Sequence, residues 1–517
     1  MKASVRVAAA TAITASLAAL AVLPGSTGAK PIVRPAAAAH NTVIVAIGSD
    51  ALSLIPNTIV DSTTNWQLQQ IFDPLLNLNG TTERVMPWLG TSWKGTSPTT
   101  WEVTLRKGVK FSDGEPFNAS SVQYTMAYIQ NPADKSAYSA YFTTVKSVSA
   151  PNPYEVVFHL NQSVPYFPYL LAINFFVMPP QYIKTHGLKY FASHPVGTGP
   201  YTFVSQTLGQ SLVLKANQHY WHGAPKIENA VFDIIPDFSA RVAAFLAGKV
   251  DIIEELPYSD IPVVSRATSA HVILEPSARF DYIALNNLKP GPMQNLKIRQ
   301  AMNYAVNVPE LIKAVMDGHA IRDAGALPRT SSGYDAAIKP YPYDPALAKK
   351  LIAEAGYKPQ DLHLTFSCSN GRYPMDSEVC QAVAAQLGQI GIHVKVISDA
   401  WAVHLTKIIN RTAGDMFYLG WGPALYPQST LEYLFEGNQT YSGFNDPSLT
   451  PMITKAENAT SAAAQKADWN AVQVKIHQLA PWIFLWQQDD VYGVANWLSW
   501  QPRPDEEINL ASAHPVH

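Results

Sequence analysis

Hydrophobic positions along the chain change period several times, and each change marks an element. His40 to Ile47 alternates and then runs apolar through Val43, Ile44 and Val45, which predicts a strand. Trp66 to Leu78 carries Leu68, Ile71 and Leu75 at helical spacing and predicts a helix. Trp101 to Leu105 and Tyr154 to Leu160 alternate as strands. Between them, Asn118 or Ser120 caps a helix with Val122, Met126 and Ile129 on one face. Lys297 to Met316 is helical in period and restarts at Asn307, a cap, with Pro309 tolerated in the first turn. Downstream, Asp344-Pro345 opens a helix that runs Ala346 to Ala355 and stops at Gly356. Leu362, Leu364 and Phe366 then alternate as a strand, Asp376 to Ile390 is a helix, and Ile392 to Ile397 a strand. Alternating strand and helix predict an α/β lobe.

Length makes that lobe one of several. A chain of 517 residues is too long for a single compact core and implies two or three lobes. Apolar residues are 47% and charged residues 15%, which excludes global disorder. The net charge of -2 gives no basic field for nucleic acid, so no nucleic-acid partner is expected. The 12 Trp and 24 Tyr suit either flat ligand contacts or core packing.

The N-terminus reads as an export signal, residues 1–29, followed by a tether, 30–40. Lys2 and Arg6 precede an Ala-rich apolar stretch from Val7 to Leu23, too short for a comfortable membrane span. Cleavage is expected after Ala29 or near Ala39; an uncleaved anchor is the alternative. The signal holds no cysteine, which excludes a thioether-linked lipid. In an exported, oxidising setting, the two cysteines of the chain, Cys368 and Cys380, favour one local disulfide over two buried thiols. Neither has histidine at ligand spacing, so no zinc site and no other metal site is expected.

Motifs for chemistry are sparse. The chain has no phosphate-binding loop, no Gly-x-Ser-x-Gly and no His-Glu-x-x-His. His219 and His222 flank Tyr220-Trp221 ahead of Gly223 and read as a turn. Gly197-Thr198-Gly199-Pro200 reads as a tight turn into a strand. The pairs Glu254-Glu255 and Asp489-Asp490 read as solvated carboxylates. Nothing separates a general acid from a general base, so no enzyme activity and no cofactor are expected.

Several stretches together carry a resemblance. They are Leu105 to Phe117 (Leu-Arg-Lys-Gly-Val-Lys-Phe-Ser-Asp-Gly-Glu-Pro-Phe), Pro195 to Tyr201, Asn217 to Gly223, Ala247 to Asp251, Asp281 to Asn286, Ile298 to Val306 and Ala353 to Tyr357. In that order, over almost the whole mature chain, they resemble the family 5 extracellular solute-binding proteins of ABC importers, which include oligopeptide-, dipeptide-, nickel- and glutathione-binding receptors. The resemblance implies a two-lobed α/β fold of the type II periplasmic-binding-protein kind, with an extra domain on lobe one and a ligand cleft between lobes. It places lobe one at 41–66, 193–285 and 483–517, the extra domain at 67–192, and lobe two at 286–482. It further implies a monomeric receptor outside the cytoplasm, whose partners are its ligand and the permease subunits of an ABC transporter.

The implied pocket carries over unevenly. Gly420-Trp421-Gly422-Pro423 resembles a cleft segment in which peptide-binding members place an acid three residues after the Trp, to pair with the ligand's amino terminus. Here that position is Ala424, and no acid follows until Glu432. Asp61 and Ser62 follow the first strand where the family lines its pocket; Asp61 either replaces the missing acid or caps a helix near Thr64. Trp401 and Tyr418 fall at pocket-lining positions, Tyr138 or Tyr141 projects from the extra domain, and Tyr282 lies near a crossing between lobes. A short peptide or peptide-like ligand is the first expectation. An oligosaccharide is the rival, since Trp401, Tyr418, Trp421, Tyr426 and Tyr433 can stack on sugar faces. A secreted hydrolase is the reading outside this class.

Overall fold

The computed structural model describes residues 40–79, 84–459 and 461–516; the export signal and most of the tether lie outside these residues. Among the described residues the largest sheet has eleven strands. From one edge it runs His393–Ala400, His363–Asn370, Met416–Trp421, Ala270–Leu285 and Trp482–Ala495. It continues through Ile252–Ile253, Thr42–Ile47, Asn229–Ile234, Ser211–Ala216 and Tyr201–Thr207. Ala320–Arg322 pairs with Trp482–Ala495 off that line.

Pairing is parallel in two separate regions of the sheet. Thr42–Ile47 is parallel to Asn229–Ile234 and Ile252–Ile253, and His363–Asn370 to both its neighbours. Strands inside such regions are covered on both faces, which explains the unbroken apolar run after Thr42. Val43, Val45 and Ile47 enter one hydrophobic cluster, while Ile44 and Ala46 enter another. The centre of the sheet is antiparallel, built on the long strands Ala270–Leu285 and Trp482–Ala495. Their ladder slips between Pro276 and Phe280, and there Ser277, Ala278 and Arg279 leave the regular register. A separate antiparallel sheet, in the order Gly90–Ser97, Thr100–Leu105, Glu155–Leu160, Val145–Asn152, packs beside the helix Ala119–Gln130.

Most helix starts follow the capping residues read from the sequence. Asn118 accepts from Ser120 N and opens Ala119–Gln130. Asn307 accepts from Glu310 N at the restart, and Asp344 from Leu347 N before Pro345–Glu354. Gly356 ends that last helix at φ +85°, a backbone conformation that a Cβ disfavours.

Two expectations are corrected. The helix expected over Trp66 to Leu78 starts earlier and stops at Leu68. Pro74 turns Asp73 away from helix, and Asp73 is buried, accepting from Trp88 Nε1, Trp221 Nε1 and Tyr220 Oη. Leu75 and Leu78 therefore reach the core from irregular chain and a short strand. The second correction concerns the acidic pairs. Glu254 and Glu255 are 4% and 5% exposed and pair with Arg241 and Arg372, and Asp490 is buried against Gln488. Only arginines distant in sequence make that burial tolerable, and a local reading does not see them. No helix among the described residues is long and apolar enough to cross a membrane.

Cys368 and Cys380 are joined, tying the strand His363–Asn370 to the helix Asp376–Gln389. The closed loop is short, so replacing both cysteines by Ser should cost roughly 2–3 kcal/mol of stability. Denaturant unfolding of the double variant checks this, and thiol counting under denaturing, non-reducing conditions should find no free thiol in the parent. A second expectation concerns His404, which is buried and bonded to the strands His363–Asn370 and Met416–Trp421. Its Nε2 donates to the Tyr418 carbonyl and its Nδ1 accepts from Ser367 Oγ. Burial holds the imidazole down at about 4, below its ordinary 6.5. The unfolded chain then takes up a proton below pH 6.5 that the folded chain refuses until about pH 4. Stability should fall by roughly 3 kcal/mol from this group as pH drops through that window. His404→Gln should flatten the slope between pH 6.5 and 4; an unchanged slope would sink the assignment.

Candidate functional site

The slip in the central ladder has a local cause and a functional consequence. Residues in a bulge leave the alternation of the strand and re-aim their side chains. Arg279 is thereby directed toward a cavity rather than into the sheet. Its Nε donates to Glu506 Oε1 at 2.6 Å, its Nη1 to the Gly420 carbonyl at 2.8 Å and its Nη2 to Ser62 Oγ at 3.0 Å. Nη2 also closes an ion pair with Glu506 Oε2. Burial opposes the charge on both partners, but their attraction outweighs it. Arg279 holds its proton above the ordinary guanidinium range and Glu506 loses its proton below the ordinary carboxylate range.

Arg279 also explains the Gly-Trp-Gly segment. A Cβ on Gly420 meets Asp281 Oδ1 at 2.3 Å and the Arg279 side chain at 2.8 Å; one on Gly422 meets Arg279 Cβ at 3.0 Å. The two glycines let the strand lie against the arginine, and the intervening Trp421 turns to the other face. There its ring packs on Tyr433 at 5.2 Å and Tyr441 at 5.4 Å.

The cavity has about 1050 Å³ of empty space, open solvent at its mouth included. Four groups of residues, drawn from stretches far apart in sequence, wall it. The start of the helix Ser62–Leu68 contributes Asp61, Ser62, Asn65 and Trp66. Tyr141 and Ala172 to Asn174 come from the part that carries the small antiparallel sheet. Arg372, Tyr373, Trp401, Trp421 and Tyr441 form the opposite side, and Arg503, Asp505 and Glu507 close one end. One direct bond joins two of these groups, and further contacts tie lining residues or the surrounding elements together. Trp401 Nε1 donates to Asp61 Oδ1 at 2.9 Å, and Arg372 Nη1 bonds Glu255 Oε1 at 3.0 Å. The Tyr141 ring stacks on Tyr433 at 4.3 Å, and Tyr166 donates to Glu432.

The structure brings Trp421, Trp401, Asp61 and Ser62 together on this wall. Asp61 fills both roles weighed for it: Oδ2 caps the helix through Thr64 N, while Oδ1 takes the Trp401 indole. The other four expectations are corrected. Tyr418 is fully buried, edge-on to Tyr373, on the strand whose next-but-two residue is Trp421. Tyr282 is stacked on Trp482 at 3.9 Å and donates to the Tyr441 carbonyl, so it supports the wall from behind. Tyr138 is 1% exposed and bonded to Asn65, and Tyr141 is the residue of that turn that reaches the cavity. Ala424 is fully buried and donates to the Ala278 carbonyl, behind the bulge. Spacing from the Trp does not survive the turn at Pro423.

Sequence reading missed Arg279, Arg372, Tyr373, Asn174 and Tyr441. A signal existed for Arg279, a cation placed just before the mostly apolar stretch Phe280 to Leu285. For Arg372 and Asn174 there was none, because their environment comes from other parts of the chain.

Trp421→Ala should lower ligand affinity by roughly 2–4 kcal/mol, in the range of an aromatic anchor, with a smaller loss in unfolding free energy. Ala424→Asp should do the opposite. It buries an unpaired carboxylate in the packed wall support and should cost on the order of 3 kcal/mol of stability. Paired titration and denaturant unfolding of both variants read the two effects; a fully stable Ala424→Asp protein would contradict the placement.

Comparison with known proteins agrees with this architecture. Residues 84–443 match the model of the bacterial extracellular solute-binding proteins, family 5 middle region. The glutathione-binding protein GsiB of Pectobacterium atrosepticum is 28% identical over 459 residues, covering 86% of this chain and 88% of that one. Heme-binding protein A of Haemophilus influenzae is 28% identical over 479 residues, with 86% of each chain covered. Among solved structures, the dipeptide-binding protein of Pseudoalteromonas sp. SM9913, in complex with Met-Leu, superposes with a TM-score of 0.85 at 23% identity, over 92% of this chain and all of the other. The Helicobacter pylori protein DppA, in complex with the peptide STSA, gives 0.85 at 24% identity, over 92% and 98%. The fold is the two-lobed one with a cleft between lobes, and the chain belongs to the family 5 bacterial extracellular solute-binding proteins.

Proposed function

We propose that this receptor is exported, without a lipid on its N-terminus, and captures a short peptide or peptide-like molecule in the cavity beside Trp421 for delivery to the permease of an ABC importer. The observation that carries the reading is the cavity itself. Its walls come from stretches distant in sequence, and bonds such as Trp401 to Asp61 span it. A ligand there is enclosed only when those stretches meet, as closure of a hinged receptor requires. Relatives named for glutathione and dipeptides support the ligand class. The division into lobe one (41–66, 193–285, 483–517), extra domain (67–192) and lobe two (286–482) is part of the proposal. Of the two hydrophobic clusters, one holds nearly all the buried apolar residues of 286–482 and the other nearly all those of 67–192, while the segments of lobe one contribute to both. The receptor acts as a monomer and has no catalytic role.

A neutral oligosaccharide is the second reading, favoured by one observation: Trp66, Trp401, Trp421, Tyr141, Tyr373 and Tyr441 all face the cavity. Both readings are testable on protein stripped of bound ligand. Mass spectrometry of molecules released on denaturation should identify a small ligand in stoichiometric amount. Adding that class back at a hundredfold excess over its dissociation constant should stabilise the fold by about 2.7 kcal/mol. Peptide and oligosaccharide libraries that both leave the melting temperature unmoved would refute the ligand class.

A further inference from the structure

The polar wall of the cavity has a one-sided hydrogen-bond balance. Each of its carboxylates is already engaged by the protein. Asp61 accepts from Trp401 Nε1 and from both Thr64 N and Thr64 Oγ1. Asp505 accepts from Arg503 Nε at 2.9 Å and Nη2 at 2.6 Å, and Glu507 pairs with Arg503 Nη1 at 2.6 Å. Burial moreover pushes the Glu507 carboxyl up to about 7, against the pull of Arg503. Arg279 is committed to Glu506, Ser62 and the Gly420 carbonyl.

The groups left over are of another kind. Asn174, at the end of the helix Phe167–Ile173, is 5% exposed, and its Nδ2 has no partner among the described residues. Arg372 is 4% exposed; one of its nitrogens holds Glu255, yet its Nε is buried without a partner. Gln69 adds one buried acceptor, Oε1, also unpartnered. All three residues line the cavity. Buried donors without acceptors are costly, so a ligand that supplies acceptors gains affinity here.

A primary ammonium fits this wall badly. It has three donors, no acceptor and a full charge, and the carboxylates on the wall are already engaged by protein donors. Enclosing it adds three more donors beside donors that already lack an acceptor. An amide or hydroxyl group fits on every count. Its oxygen answers an unpartnered donor such as Asn174 Nδ2 or Arg372 Nε, and its hydrogen an unpartnered acceptor such as Gln69 Oε1.

We infer that the enclosed end of the ligand is uncharged, an amide- or hydroxyl-bearing group read by Asn174, with Arg372 as second donor and a flat face against Trp401 and Trp421. The inference rests on the receptor reading above and narrows it: if the ligand is a peptide, its amino terminus is blocked or lies outside the cavity. Asn174 is then the residue that sets specificity.

The test is calorimetric titration of stripped protein with three probe sets: tripeptides bearing a free amine, the same tripeptides N-acetylated, and neutral trisaccharides. The acetylated peptides or the trisaccharides should bind at least about tenfold more tightly than the free-amine peptides, the loss expected for one buried unmatched group. Whichever of the two binds names the source of the uncharged group. Asn174→Asp replaces the donor by a carboxylate and should weaken that binder about tenfold while raising the affinity for free-amine peptides. A merely structural role for Asn174 would move all probes together. Asn174→Ala, which loses the donor without adding charge, should weaken the uncharged binder without favouring amines, and keeps the test open if the aspartate variant does not fold. Tighter binding of the free-amine set by the parent protein, or an unchanged preference in Asn174→Asp, would overturn the inference and leave the receptor reading intact. Binding of none of the three sets would overturn that reading and this inference with it.

Discussion

The Arg279–Glu506 pair is the interaction on which the rest of the site depends. It buries two full charges, which is tolerable only because each finds several partners at once. Glu506 takes Ser277 Oγ as well as the guanidinium, and Gln487 Nε2 holds the Ser277 carbonyl. The bulge in the long central strand is thus fastened by hydrogen bonds to the C-terminal segment and to the neighbouring strand. Because Arg279 also bonds the Gly420 carbonyl and Ser62, one side chain connects the first helix, the central sheet, the Gly-Trp-Gly segment and the C-terminal tail.

Around that hub the cavity is built from aromatic faces and pre-engaged charges. The Arg372 guanidinium lies 5.1 Å from the Trp66 ring centre, 4.7 Å from Tyr373 and 5.5 Å from Trp401. Such stacking favours a cation while keeping the rings fixed for a ligand. Asp281 behind this wall is pushed up to about 7, by burial first, with Arg279 opposing. It bonds the Trp486 indole. The wall therefore presents flat apolar surface and a few directed donors rather than open charge.

Much of the fold was legible because it is local. Caps at Asn118, Asn307 and Asp344, and the terminator Gly356, act over three or four residues, and each appears where its chemistry predicts. The apolar run Val43 to Ile47 announced a strand, and the structure covers that strand on both faces. The false helix after Leu68 shows the limit: Leu75 and Leu78 keep helical spacing, but Pro74 and the buried Asp73 decide the backbone. The site was legible where a motif constrains backbone, as at Gly420 to Gly422, and where a residue follows a predicted strand closely, as at Asp61. Tyr418, Tyr282, Tyr138 and Ala424 misled because an aromatic or a spacing does not say which face of an element meets a cavity. Asn174 and Arg372 were invisible for a simpler reason, since only tertiary structure leaves their nitrogens without partners.

The Trp401–Asp61 bond has a consequence for the thermodynamics of capture. It joins Trp401 directly to the start of the first helix, so the enclosed arrangement has a favourable interaction of its own. In a two-state receptor the measured dissociation constant is the intrinsic one divided by the fraction already competent to bind. This indole and its carboxylate partner therefore set part of the affinity by adjusting a pre-existing population. A substitution at residue 61 that weakens this bond lowers that population, and with it the measured affinity, apart from any change in contacts to the ligand.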